Sequence, residues 1–146
     1  MVVLPPLLYA AALAAGLLLH LLVPRQPFTP WMARPLGVIL LVASGALARW
    51  GEKTMRRAAT NVSPNEPSLT IVSDGPFRYS RNPLYVSLIG LYLGVTLLVD
   101  AMWPLVLLIP LLVVTDYGII RREERYLEAK FGETYRTYKA RVRRWL

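Results

Sequence analysis

Arginine, asparagine and tyrosine are concentrated in one turn, Gly75-Pro76-Phe77-Arg78-Tyr79-Ser80-Arg81-Asn82-Pro83-Leu84-Tyr85, which runs directly into an apolar stretch ending at Val99. Thirty-eight residues after Tyr85, past a second apolar stretch, comes an acidic pair, Glu123-Glu124. A cationic and an anionic cluster therefore flank a hydrophobic hairpin and emerge on the same side of whatever it spans. That arrangement suits a polar ligand held at a membrane surface. The remaining composition narrows the chemistry. There is no cysteine and one histidine, His20, which argues against thiolate nucleophiles, metal sites built on Cys or His, and most Ser-His hydrolytic arrangements. Glu, Asp, Arg, Tyr, Asn and backbone groups are left to act.

The elements that must position these clusters read as membrane helices. The chain is 55% hydrophobic yet carries a net charge of +8, which is possible because the two kinds of residue are segregated. Residues 1–24 hold no Lys, Arg, Asp or Glu, whereas residues 121–146 hold nine of the seventeen basic residues. Basic flanks on a membrane protein account for this better than a nucleic-acid surface, so no nucleic-acid partner is expected.

A spanning helix needs about 20 apolar residues. Leu4–Val23 meets this, with Pro5 and Pro6 in its first turn, where missing donors cost least. It has no basic segment ahead of it and reads as a retained helix rather than a signal peptide. Pro35–Trp50 is shorter, and a re-entrant or core helix is its alternative; Trp31 and Trp50 bracket it as interfacial aromatics do. Pro83–Val99 and Ala101–Ile120, joined through Asp100, form an antiparallel hairpin, with Pro104 and Pro110 expected to bend its second arm. Basic residues crowd the 51–82 loop and the tail, while the 24–34 loop has Arg25 and Arg34 and the hairpin tip has none. The positive-inside rule places both termini in the cytosol. The expected fold is all-α: four transmembrane helices plus an amphipathic cytosolic helix, in one domain, with helices in 1–50 preceding a functional half in 60–146.

Weaker signals carry alternatives. Gly90-x-x-x-Gly94 suits either a dimer face or intramolecular packing, and packing is the reading taken; the oligomeric state stays open. Asp116 and His20 are ionisable groups in membrane helices. The Asn61-Val62-Ser63 sequon is followed by Pro64 in a loop read as cytosolic, and is discounted.

In the tail, Ile120, Leu127, Phe131, Tyr135, Tyr138, Val142 and Trp145 follow steps of seven, four, four, three, four and three, which is one helical face. Gly132 is positioned to break it. An amphipathic helix lying on anionic lipid explains most of this pattern. It does not explain Glu124, which fills the missing step on the apolar face. A carboxylate there needs a partner, either an arginine such as Arg81 or a ligand.

With both clusters in view, residues 60–146 resemble the integral-membrane methyltransferases of the isoprenylcysteine carboxyl methyltransferase and phospholipid N-methyltransferase superfamily. The shared pattern is the turn ending Arg81-Asn82-Pro83-Leu84-Tyr85, then a hairpin, then Glu123-Glu124 with Leu127, Phe131, Gly132, Tyr135 and Tyr138. The resemblance implies S-adenosylmethionine as methyl donor; the apolar environment argues for a lipid-like or prenyl-like acceptor entering from the bilayer, with a small amphiphilic thiol or amine as the other option. By motif position the resemblance implies Tyr79, Arg81, Asn82, Pro83, Tyr85, Glu123 and Glu124 as cofactor-binding residues, and Arg81, Asn82 and Glu124 as catalytic ones. Many relatives carry His where this chain has Asn82, and an amide does not serve as a base near neutral pH. A small non-catalytic membrane scaffold or lipid-binding protein is the alternative reading; a reductase on a related scaffold would need more helices than this length allows.

Overall fold

The structure, a computed structural model, describes residues 4–60 and 70–146; the Asn61-Ser63 sequon lies outside them. Among the described residues the architecture is entirely helical. In chain order come α1 (Pro5–Leu22), α2 (Pro30–Arg57), a 3-10 turn (Gly75–Arg78), α3 (Pro83–Val99) and α4 (Trp103–Val113). A π-helical segment (Val114–Ile120) then leads into α5 (Arg121–Phe131) and α6 (Glu133–Arg141).

α1, α2 and the continuous helix Trp103–Phe131 are long and apolar enough to cross a membrane. α3 has 17 residues, about 25 Å at 1.5 Å per residue, near the short end for a span. Leu7, Leu18, Leu21, Leu36, Ile39 and Val42 are all exposed. An outward face this apolar fits lipid, because contiguous apolar surface of that extent is rare on soluble monomers. α2 is longer than the sequence reading of 35–50. It starts at Pro30 rather than Pro35, keeps Pro35 inside, and runs 28 residues to Arg57, too long for a re-entrant turn. Its last turns are charged and project beyond the apolar segment.

α2 and α3 pack along a seam of small residues. A Cβ on Gly94 would come within 2.8 Å of the Leu41 side chain and 3.0 Å of the Gly37 carbonyl, and Gly90 lies against Ser44. The Gly90/Gly94 pair therefore serves packing within the chain, as close backbone approach between membrane helices requires. On the other side, Tyr9 of α1, Tyr92 of α3 and Leu108 and Leu111 of α4 form a core. There the Tyr92 hydroxyl donates to the Pro104 carbonyl at 2.6 Å.

The tip of the α3–α4 hairpin is fixed to the α1–α2 loop. Asp100 adopts a left-handed conformation (φ 54°), one that Asp tolerates better than most residues. Its Oδ1 accepts the Phe28 amide at 2.8 Å. Trp103 Nε1 donates to the Val23 carbonyl at 2.7 Å.

The tail departs from a single surface helix. Gly132, at φ +56°, ends α5, and α6 turns back so that Tyr135 and Tyr138 bury against Phe77 of the 3-10 turn, with Met55, Ile71 and Leu127 around them. The apolar stripe is thus covered by protein rather than by lipid. Past Arg141 the helix stops and Val142 is extended (φ −123°, ψ 130°), so Trp145 does not continue the stripe.

The seam makes a stability prediction. Gly94→Leu overpacks it and is expected to cost about 1–3 kcal/mol. Gly45, in α2, has open space where its Cβ would be, so Gly45→Leu is expected to leave stability unchanged. Unfolding midpoints in detergent check both.

Candidate functional site

The site forms where the 3-10 turn, the start of α3, the π-helical segment and the tail converge. Gly75 makes the turn possible. It has φ +55°, and a Cβ there would sit 2.7 Å from the Thr54 hydroxyl of α2, so glycine suits both its conformation and its close approach. The Tyr138 hydroxyl then closes the turn from the tail, donating to the Phe77 carbonyl at 2.8 Å. Pro83 occupies the first position of α3, where a missing amide donor costs nothing. Asn82 is the cap residue, yet its side chain makes no cap; its Nδ2 instead donates to the Arg144 carbonyl at 2.9 Å.

The sequence-derived pair meets at the centre. Arg81 Nη1 lies 3.1 Å from Glu124 Oε1, with side chains only 10% and 8% exposed. The contact lacks hydrogen-bond alignment, and Arg81 Nε is buried without a hydrogen-bond partner among the described residues. Arg144 completes the pairing. Its Nε and Nη2 each donate to a Glu124 oxygen at 2.9 Å, the two-pronged geometry in which guanidinium binds carboxylate best. Arg144 Nη1 also lies 3.4 Å from Asp116 Oδ1, and Asp116 Oδ2 accepts from Arg121 at 3.0 Å. The hydrogen bonds to Glu124 are the largest cause holding the Arg144 guanidinium above the ordinary arginine range.

Glu123 faces a different partner. Its Oε1 accepts the Tyr85 hydroxyl at 2.9 Å, which links the first turn of α3 to α5 and leaves the second carboxylate oxygen available. Tyr135 and Tyr138 close the inner wall. Burial pushes the Tyr135 hydroxyl above the usual tyrosine range, and the Glu124 charge adds to this against the Arg81 guanidinium. Burial also raises Tyr138, with Tyr135 contributing. Both stay neutral hydrogen-bonding groups at physiological pH.

Two spaces lie beside this junction. One is an open, basic cleft of about 360 Å³ bounded by Tyr117, Arg121, Glu124, Arg125 and Arg144. The other is an apolar crevice of about 60 Å³ between Trp50, Tyr79, Pro83, Val86 and Leu146.

Of the residues singled out from the sequence, Arg81, Asn82 and Glu124 are joined through Arg144, and the Tyr85–Glu123 pair adjoins that network through the chain link from Glu123 to Glu124. Tyr79 and Pro83 do not join it. Tyr79 is 68% exposed and both border the apolar crevice. His20, in the last turn of α1, is at the opposite end of that helix from Tyr9, whose hydroxyl reaches Thr115 of the π-helical segment at 3.1 Å. Arg144 was missed, and its signal was faint: one arginine in a basic run beyond the helical stripe. The π-helical segment was missed as well; such segments recur at functional sites. Here it ends at Ile120, fully buried, one turn before Glu124, also buried.

A helical membrane protein whose polar site joins a Pro-initiated helix to a Glu-Glu helix defines a class, and comparison gives that class its family. The family model described as phospholipid methyltransferase matches residues 32–134, and the chain belongs to this family of membrane methyltransferases. The match contains Arg81, Asn82, Glu123 and Glu124 and stops short of Arg144. A protein of Haemophilus influenzae described as uncharacterized is 47% identical over 64 residues, covering 43% of this chain and all of that relative. No solved structure matches.

The network separates buried from exposed ion pairs, and that difference is measurable. Glu124→Ala strands buried Arg81 beside Arg144 and is expected to cost on the order of 3–5 kcal/mol. Arg121→Ala breaks a pair whose arginine is 43% exposed, and is expected to cost no more than about 1 kcal/mol. Thermal unfolding of the two variants in detergent distinguishes them.

Proposed function

We propose that this protein is an S-adenosylmethionine-dependent methyltransferase acting at the membrane on a lipid-like or prenyl-like acceptor. In this reading the chain crosses the bilayer four times with both termini cytoplasmic. The carrying observation is the buried Arg81 guanidinium, which keeps an unpartnered Nε while it lies against Glu124, the chain neighbour of a Glu123 with one uncommitted carboxylate oxygen. A guanidinium donor and a carboxylate acceptor at one junction suit a zwitterionic amino-acid moiety: Arg81 would take the carboxylate, and Glu123 an ammonium or ribose hydroxyls. Family membership supports methyl transfer as the chemistry.

When bound, S-adenosylmethionine supplies an electrophilic methyl on a sulfonium. An acceptor lone pair would form the new bond to that methyl carbon as the carbon–sulfur bond breaks, and the neutral thioether would leave with the bonding electrons. The protein's residues have to align and desolvate the partners, and such alignment can supply much of the rate. Asn82 takes no proton in this scheme, because its amide is engaged with the Arg144 carbonyl and is not a base near neutral pH. An acceptor that is already anionic, such as a carboxylate, needs none removed. The apolar crevice at Tyr79 and Pro83 and the exposed apolar helix faces favour an acceptor that arrives from the bilayer.

Calorimetry with the purified chain in detergent tests the donor. The wild type is expected to bind S-adenosylmethionine, and Arg81→Ala and Glu123→Gln are each expected to weaken binding about tenfold or more, roughly 1.4 kcal/mol per decade. Lipid mass spectrometry of cells fed methyl-labelled precursor, with and without the protein, identifies the acceptor. A wild type that binds no donor would leave the non-catalytic scaffold as the better account.

A further inference from the structure

We propose that Arg144 is a positioning residue for methyl transfer: it fixes Glu124 through its guanidinium and Asn82 through its carbonyl, making the segment 142–146 a wall of the donor pocket. This rests on the function proposed above and extends it to a residue outside the family-matched stretch.

The backbone prepares the contact. Once α6 ends at Arg141 the chain is extended at Val142, and two consecutive carbonyls meet the motif turn. The Arg143 carbonyl accepts the Arg81 amide at 2.9 Å. The Arg144 carbonyl accepts Asn82 Nδ2 at 2.9 Å and, more weakly, the Ser80 hydroxyl at 3.4 Å. The Arg144 side chain then crosses to Glu124 of α5 and Asp116 of the π-helical segment. One residue thereby ties the motif turn to the π-helical segment and α5, which lie beyond the α3–α4 hairpin in sequence.

Two arginines on one carboxylate divide the work. The doubled, aligned hydrogen bonds of Arg144 set the plane of the Glu124 carboxylate, because a guanidinium fork constrains orientation as well as charge. Arg81 touches the same carboxylate without hydrogen-bond alignment and keeps Nε unpartnered. Without Arg144, Glu124 would be a buried carboxylate with one poorly aligned partner, and Arg81 would turn to satisfy it. Its free donor would then be lost to the ligand. The same segment borders both spaces, Arg144 lining the basic cleft and Leu146 the apolar crevice.

The test is a double-mutant cycle on S-adenosylmethionine affinity, measured by calorimetry on the full chain in detergent, with unfolding midpoints alongside. Arg144→Ala is expected to weaken binding about tenfold, and Arg144→Lys, which keeps the charge but loses the fork, to fall between it and wild type. Because Arg144 acts through Glu124, Arg144→Ala combined with Glu124→Gln should bind no more weakly than the weaker single variant. Should Arg144→Ala fail to fold, Arg144→Gln takes its place in the cycle. Wild-type affinity in a folded variant lacking the guanidinium, or losses that simply add, would overturn the role of Arg144 alone. Absence of binding by the wild type would overturn the donor assignment and this role together.

Discussion

A buried carboxylate that must be neutralised governs the arrangement of this protein. Glu124 lies on the inner face of α5, beside fully buried Ile120 one turn earlier, and is itself buried, so little water reaches it to offset its charge. Taking an ionised carboxylate out of water costs several kcal/mol unless charge and hydrogen bonds replace the hydration. Arg81 and Arg144 supply both, and each comes from a different part of the chain. Satisfying Glu124 therefore brings the 3-10 turn, the helical tail and the extended segment after it to one point. The arrangement required for stability also gathers the groups able to hold a zwitterionic ligand.

The membrane helices provide a frame stiff enough to present this junction. The α2–α3 seam lets the two backbones approach closely and sets Pro76 and Gly75 against the end of α2. The Tyr9–Thr115 hydrogen bond ties α1 to the π-helical segment, while Asp100 and Trp103 pin the far end of the hairpin to the α1–α2 loop. Both ends of α3 and α4 are thus tethered. The two glutamates also have separate parts: Glu124 is held by two cations, whereas Glu123 accepts one phenol and keeps acceptor capacity.

Much of this was legible in the sequence for identifiable physical reasons. Apolar runs and basic flanks marked the helices because burial in lipid enforces composition. Glu124 stood out because a charge on an apolar stripe demands a partner, and Arg81 was among the partners named. The length of α2 was less legible, since Pro35 resembles a helix start and the charged residues after Trp50 conceal further helical turns. The destination of the tail stripe was ambiguous because helical periodicity reports an apolar face and not what covers it; Phe77, Tyr135 and Tyr138 cover one another. Arg144 was illegible for a different reason. Periodic reasoning ends with the helix at Arg141, and in an extended segment the contacts of each side chain depend on the tertiary path. Tyr79 shows the converse, in that membership of a motif did not turn its side chain toward the network.

The central claim is that the donor is held at the Arg81–Glu123–Glu124 junction, at one end of the helical frame. Photo-crosslinking with methyl-labelled S-adenosylmethionine, followed by peptide mapping of the full-length chain, tests it directly. The account predicts label within residues 79–85 and within 117–144. Label confined to the opposite end, in residues 16–29 or around Asp100, would contradict it.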